Sequence, residues 1–286
     1  MKRNPIVVVS SDVVGQRMAG PAIRAVELAR TLSRSLAGQE VVLAAPNQAP
    51  VDGLEVVSFR QGRLKSLISS ARVVIGQGLG LPLAPLLSPG HALVLDFYDP
   101  NPVEVMAFHR HSPRRVARRS QEFLRHRLLA LAKRGDFFLC ATQRQRDFWL
   151  GLLAAAGRLS WEADQSQPNL DDLLAIVPFG LPDEPPWSSR PVVKGVWPGI
   201  GVKDKVLLWG GGIWNWFDPL TVIRAVARVA QKKADIRLFF LGVDHPNPRI
   251  PAMAMTQRAM DLAQEMGLLN KVVFFNQGWV DYQDRA

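Results

Sequence analysis

LLWGGGIWNWFDPL, residues Leu207 to Leu220, runs from an apolar stretch into three glycines, then past two tryptophans to an acid and a proline. An apolar run that ends in Gly210-Gly211-Gly212 reads as a strand leading into a loop that something approaches closely. Phosphates are frequent visitors to such loops. Trp214 and Trp216 belong on a half-wet surface, either as the wall of a binding cleft or as the packing of one domain on another. Asp218-Pro219 has the form of a helix start, with the acid as N-cap and the proline in the first turn. The helix expected there is DPLTVIRAVARVAQKK (218–233). A strand DIRLFFLG (235–242), a helix MAMTQRAMDLAQEMG (253–267) and a strand NKVVFFNQG (270–278) follow.

The same alternation fills the first 180 residues. Strands are expected at 5–10, 39–45, 54–59, 71–76, 92–100, 135–141 and 174–177. Helices are expected at 21–36, 62–71, 109–134 and 143–157. Strands and helices alternating at this spacing build parallel sheets with helices on both faces. The fold class expected is therefore α/β, with two Rossmann-like, doubly wound parallel-sheet domains. From Leu181 to Val202 the pattern breaks, with five prolines and three glycines and no periodicity. That reads as a linker (181–202) between an N-terminal domain (1–180) and a C-terminal domain (203–286). A doubly wound sheet commonly has five or six strands. The second domain offers three and is expected to be incomplete in this chain. Right-handed crossovers bring the loops that follow the strands to one edge of each sheet, where open α/β sheets bind their ligands. The informative loops are then 11–20, 76–82, 97–102, 210–218 and 242–249.

Composition narrows the function classes. Apolar residues make up 48% of the chain, enough for sizeable cores and too many for disorder. The one cysteine, Cys140, leaves no disulfide within the chain and fits a reducing compartment. Within FFLCA it reads as a small buried residue. The N-terminal IVVV is too short for a signal-peptide core, and no run is long enough to span a membrane. The expectation is a cytoplasmic protein, peripheral on the inner face of the membrane if its basic segment meets lipid. The net charge is +10, and it is uneven. Between His109 and Arg134 nine arginines and lysines face one acid, Glu122, while Val116, Phe123, Leu124, Leu128 and Leu131 recur at helical spacing. This amphipathic basic helix is a solvated helix face or a surface for anionic lipid or an anionic substrate. Nucleic acid ranks last, because no zinc, helix-turn-helix or RNA-binding signature accompanies the charge.

The loops supply the candidate site residues. Gly15 and Gly20, with Arg17 between them, precede the helix that begins near Pro21. There they make an ordinary turn or let backbone amides approach a phosphate. LDFYDP (95–100) sets Asp96, Tyr98 and Asp99 just past a strand. Asp99 is a general base, a hydroxyl-binding group or an N-cap. Gly242, Asp244 and His245 close another strand, and a lone histidine is usually structural. No acid–histidine set has metal-ligand spacing, and no serine nucleophile elbow occurs, so no metal is expected.

Six segments taken in order carry a resemblance over essentially the whole chain. They are MAGPAIRAVELARTL, LDFYDP, VPFGLP, WGGGIWNWFDPLTVIRA, RLFFLGVDHPNP and VVFFNQGWVDYQDRA. The ordered set resembles the family-4 (group 1) retaining glycosyltransferases of GT-B fold. The resemblance implies two Rossmann-like domains facing a cleft, an acceptor on the first and a nucleotide-sugar donor on the second. It implies metal-independent transfer with retention, and no cofactor beyond the donor substrate. The loop Gly15 to Gly20 is implied near the donor phosphates; Gly211, Gly212, Trp214, Asp218, Gly242 and His245 are the further donor-binding candidates, with Asp99 as the catalytic candidate. Many members carry an arginine and a lysine that grip the pyrophosphate; the matching positions here are Gly212 and Asp218. Arg17 and Arg24, together with the backbone amides of 211–213, are then the candidate substitutes. The family's later pair of glutamates is expected beyond Ala286. The expected function is sugar transfer from a nucleotide-sugar to a glycan or lipid-linked acceptor, with an anionic membrane contact at 109–134 and no nucleic acid. The alternative is a non-catalytic fragment or binding module of the same fold. A nucleotide-cofactor oxidoreductase is disfavoured, since neither glycine loop has the dinucleotide fingerprint.

Overall fold

A computed structural model describes residues 4–59, 63–77, 90–110, 112–161, 170–181, 185, 187 and 190–285. Of the loop expected at 76–82, residues 78–82 lie outside the described residues. The chain divides into two compact units, Met1–Leu181 and Pro182–Ala286.

Among the described residues unit 1 is built on seven parallel strands: β1 Ile6–Val9, β2 Val41–Ala45, β3 Glu55–Ser58, β4 Val73–Gln77, β5 Ala92–Asp96, β6 Phe137–Cys140 and β7 Leu174–Ile176. They lie in the order β3-β2-β1-β4-β5-β6-β7. The winding reverses between β1 and β4, which is the doubly wound arrangement and places a switch point there. β1 and β2 are buried at every position, which is why they are continuous β-branched and aliphatic runs without alternation. The helices among the described residues are α1 Gly20–Ser35, α2 Arg63–Ser70, α3 Asn101–Phe108, α4 Arg114–Arg134 and α5 Gln143–Ala155. Phe97, Phe138 and Trp149 form the aromatic centre of the core, with Phe97 and Trp149 rings 4.6 Å apart. The indole N–H of Trp149 is satisfied by the carbonyl of Phe97 at 2.7 Å.

The basic helix expected over 109–134 starts later, at Arg114, and a separate helix α3 precedes it. Pro113 accounts for the break. Proline lacks an N–H and disfavours helical backbone in the residue before it, so α4 can begin only after it.

Unit 2 holds β8 Lys205–Trp209, α6 Pro219–Ala230, β9 Ile236–Phe240, α7 Ala254–Glu265 and β10 Val273–Phe275. Its strands are parallel, in the order β10-β9-β8. One sheet face packs Leu238, Phe240 and Val273 against Ile223, Val226, Ala259 and Ala263 of the two helices. On the other face Phe239 and Phe274 meet Ile200, and Trp197 lies edge-on to Phe239 at 4.8 Å. Part of the stretch read from sequence as linker is therefore packed core, held by apolar residues that show no period because they sit on turns. β8 forms the opposite border from β10. Leu207 and Leu208 on it stay 46% and 57% exposed.

Candidate functional site

In unit 2 the loops after β8, β9 and β10 meet at the carboxyl edge of the sheet. They line a pocket of about 140 Å³ with Gly212, Ile213, Trp214, Asp244, His245 and Trp279, closed by the start of α7. Local hydrogen bonds hold the three loops together. Asn215 Oδ1 accepts from the Met255 amide at 3.1 Å, which ties the tryptophan loop to the first turn of α7. The hydroxyl of Thr256 donates to the carbonyl of Ile213 at 3.3 Å. Asn276 donates to the Leu241 carbonyl at 2.7 Å, and the Asp244 amide donates to the Gln277 carbonyl at 3.3 Å. Three aromatic rings, Trp214, His245 and Trp279, form the wall, and Trp216 backs Trp214. Trp214 and Trp216 stack at 5.0 Å, and His245 sits 5.4 Å from both Trp214 and Trp279. His245 Nδ1 accepts the Asn247 amide at 3.1 Å, which fixes the ring against its neighbours.

The glycines divide into two kinds. A Cβ on Gly242 would lie 3.1 Å from the Trp279 ring, and one on Gly212 would lie 3.2 Å from it. These two are glycine so that Trp279 can lie on the backbone. Gly210 and Gly211 face open space, with nothing within 4 Å of an added Cβ. Of the donor-binding candidates, Gly211 has open space where a Cβ would be, while Trp279 lies against Gly212 and Gly242. Trp279 was not among the residues singled out from sequence. Its signal was its place directly after a strand, in NQGW.

Asp218 accepts from the Thr221 amide at 3.0 Å and is the N-cap of α6. That bond holds its carboxyl below the usual carboxylate range. Of the two uses open to Asp218, the structure displays the cap.

In unit 1 the corresponding edge gathers residues from β1, β4, β5 and the segment after β7. At the switch point Ser11 donates to Gln77 Oε1, and Gln77 donates to the Pro21 carbonyl at 3.1 Å. This pins the β1–α1 loop to the end of β4. Gly15 has φ +128°, a backbone that a side chain would strain, and Arg17 is exposed. Gly20 opens α1, where an added Cβ would sit at ordinary contact distance from the Tyr98 hydroxyl. The turn at Gly15, and not Gly20, is what requires glycine.

Arg24 cannot serve as a free phosphate grip. Its guanidinium is buried and forks onto Asp96 with contacts of 2.6 and 3.0 Å. It also donates to the carbonyls of Val177 at 2.8 Å and Pro178 at 3.3 Å. Its position, one turn into α1, faces the sheet and leaves water only by pairing. Tyr98 and Phe179 flank the guanidinium with their rings 5.1 and 5.6 Å from it.

Beside this pair stand Asp99 and Glu104. Pro100, not Asp99, occupies the cap position of α3, and no side-chain cap bond forms there. Burial, then the charges of Glu104 and Asp96, push the Asp99 carboxyl up to about 7. Burial raises Glu104 as well, against its hydrogen bond from Asn101. Burial and the nearby Asp99 push the Tyr98 phenol up to about 12, so it stays a neutral hydroxyl. This edge can therefore offer a carboxyl that gains and loses a proton near neutral pH, next to a phenol and a second acid. Cys140 is fully buried and burial raises its thiol, so it is no nucleophile.

No protein-family model matches the chain, and no curated protein matches it. Among solved structures, the chain is similar to a Listeria monocytogenes protein described as a UDP-N-acetylglucosamine 2-epimerase. The identity is 12% and the TM-score 0.44, over 99% of this chain and 71% of that one. A likeness of this size assigns neither a fold family nor an activity to the chain.

Proposed function

We propose that the protein is a GT-B-type glycosyltransferase related to the retaining family 4. In this reading unit 2 binds a nucleotide-sugar and unit 1 binds a glycan or lipid-linked acceptor. The observation that carries the proposal is the aromatic pocket at the carboxyl edge of the second sheet, with open Gly210 and Gly211 beside it. Indole faces suit a nucleobase or sugar ring, and stacking of a base on an aromatic ring contributes about 1–3 kcal/mol. Bare glycine backbone beside such a ring suits a diphosphate. With no basic residue at positions 212 and 218, the backbone amides of the glycine loop are left to meet the phosphate charge.

The acceptor hydroxyl then bonds the anomeric carbon on the face from which the diphosphate departs. The nucleoside diphosphate leaves with the electrons of the broken C–O bond. Asp99, titrating near neutrality, takes the hydroxyl proton. The nucleotide-sugar is a substrate, and the reading uses no cofactor.

The test is isothermal titration of the full chain with a panel of nucleoside diphosphates and nucleotide-sugars, followed by a hydrolysis and transfer assay. Selective binding of one nucleotide is expected, with Trp214→Ala weakening it about tenfold or more. Asp99→Asn should keep the binding and lose the transfer. No binding across the panel would overturn the proposal. The alternative, a non-catalytic binding module of the same fold, draws on Asp218, which caps α6 where the resembling family has a basic residue. Nucleotide binding without turnover by the wild-type chain would favour it.

A further inference from the structure

We propose that the helix pair α3–α4 is a docking surface for the anionic face of a lipid bilayer. In this arrangement arginines of α4 hold the headgroups, and Val103, Met106 and Phe123 enter the boundary between headgroups and acyl chains. The inference goes beyond sugar transfer and does not depend on it.

Two observations carry it independently. The first is apolar exposure. α3 is NPVEVMAF, almost wholly apolar, yet none of its residues is buried. Val103 and Met106 are 58% and 61% exposed, and Phe123 on α4 is 67% exposed. Val105 packs on the core from the other side of the helix, so Val103 and Met106 form an apolar outer face held in water, and such a face marks a surface that something covers. α3 packs on α4, so these side chains belong to one helical layer.

The second is charge. α4 buries Leu124, Leu128, Leu131 and Ala132. At 100° per residue the side opposite that stripe carries Arg115, Arg119 and Lys133, with Phe123 and Val116 along its flank. Glu122 is the only acid on α4, and it is paired with Arg118 at 2.9 Å. Among the described residues no carboxylate lies within ion-pair distance of Arg114, Arg115 or Arg119.

Cations in a row beside exposed Phe, Met and Val are the composition of a helix that lies in a membrane interface. A protein partner would have to desolvate the arginines. Nucleic acid would use the arginines and leave the phenylalanine and methionine unexplained. A bilayer surface accepts both groups at once. α3 starts two residues after Asp99 and carries Glu104, so a docked layer keeps these acids close to molecules carried in the membrane.

The experiment is co-sedimentation of the full chain with phosphatidylglycerol–phosphatidylcholine vesicles and with phosphatidylcholine vesicles, at low and at physiological salt, with duplex DNA as competitor. Binding to the anionic vesicles alone is expected, weakening with salt. Each neutralised cation should lower partitioning about fivefold, so Arg115→Gln with Arg119→Gln should lower it about 25-fold. Met106→Ser with Phe123→Ser should keep low-salt binding and lose what remains at physiological salt. Equal partitioning to neutral vesicles, unchanged binding by the arginine double variant, or capture by DNA without capture by vesicles would each overturn the proposal. Hydrogen exchange of the wild-type chain needs no variant to fold. Vesicles should protect residues 101–134, and protection confined to other segments would also overturn it.

Discussion

At the scale of single residues, Gly211 and Gly242 look alike in sequence and differ in what they face. Gly242→Ala would drive a methyl into the Trp279 ring at 3.1 Å. It should cost about 1–3 kcal/mol in urea unfolding, as overpacking commonly does. Gly211→Ala meets nothing and should leave unfolding unchanged while weakening nucleotide binding, which titration calorimetry would read. A second residue-scale prediction concerns Asp99. Its folded carboxyl stands at about 7, above the ordinary value near 3.9. The folded state therefore holds a proton that the unfolded chain releases. The stabilisation is full below pH ~4 and is lost as pH rises through ~7. A tenfold difference in proton affinity corresponds to about 1.4 kcal/mol, so the whole effect is at most a few kcal/mol. Urea midpoints should fall across this window in the wild type, and Asp99→Asn should flatten the fall. An unchanged slope in the variant would assign the pH dependence to other groups.

At the scale of elements, helix starts decide much of the architecture. Thr142 accepts the Gln145 amide at 3.2 Å and caps α5, while Gln145 accepts the Ala141 amide at 2.7 Å. Thr142→Ala should cost about 1 kcal/mol, read as a lower urea midpoint with unchanged m-value. For Asp218, Asn is an equally good cap but carries no charge. Asp218→Asn should leave the melting temperature in place. If it also leaves nucleotide affinity in place, capping is the whole role of this side chain. If affinity rises, the carboxylate was repelling the phosphates.

At the scale of the whole molecule, the two units differ in how well their sheets are covered. Unit 1 has a seven-stranded sheet with a continuous core. Among the described residues unit 2 has three strands, and its border strand β8 exposes two leucines. A fragment of residues 1–181 should therefore melt cooperatively by itself, and one of residues 190–286 should associate at micromolar concentration by way of β8. Light scattering would register this, and Leu208→Lys should suppress it. A monomeric, cooperatively folding 190–286 fragment would show that the β8 border is already protected.

Each of the ten described strands overlaps a run read from sequence, although some runs were read too long: the run 92–100 is strand only as far as Asp96, and the run 270–278 is strand only over Val273–Phe275. A strand buried on both faces has to be a continuous apolar run, and that is visible without coordinates. Asp218-Pro219 announced the start of α6 for a comparable reason, since capping is a local bond between neighbours in the chain. The break before α4 was also local, and Pro113 marks it, but the strong charge pattern on both sides hid it. Other features depended on residues distant in sequence. Arg24 reads as a free cation until it meets Asp96, 72 positions later, and the carbonyls after β7. Gly211, Gly212 and Gly242 read alike as loop glycines until Trp279 comes to lie on the last two. Asp99 becomes a near-neutral titrating group only when burial and Glu104 surround it. Sequence by itself determined the alternation, and with it the α/β class, because periodicity and capping are short-range. Only the tertiary structure decided which charges are spent on each other and which glycines stay open, because those outcomes depend on which distant side chains arrive.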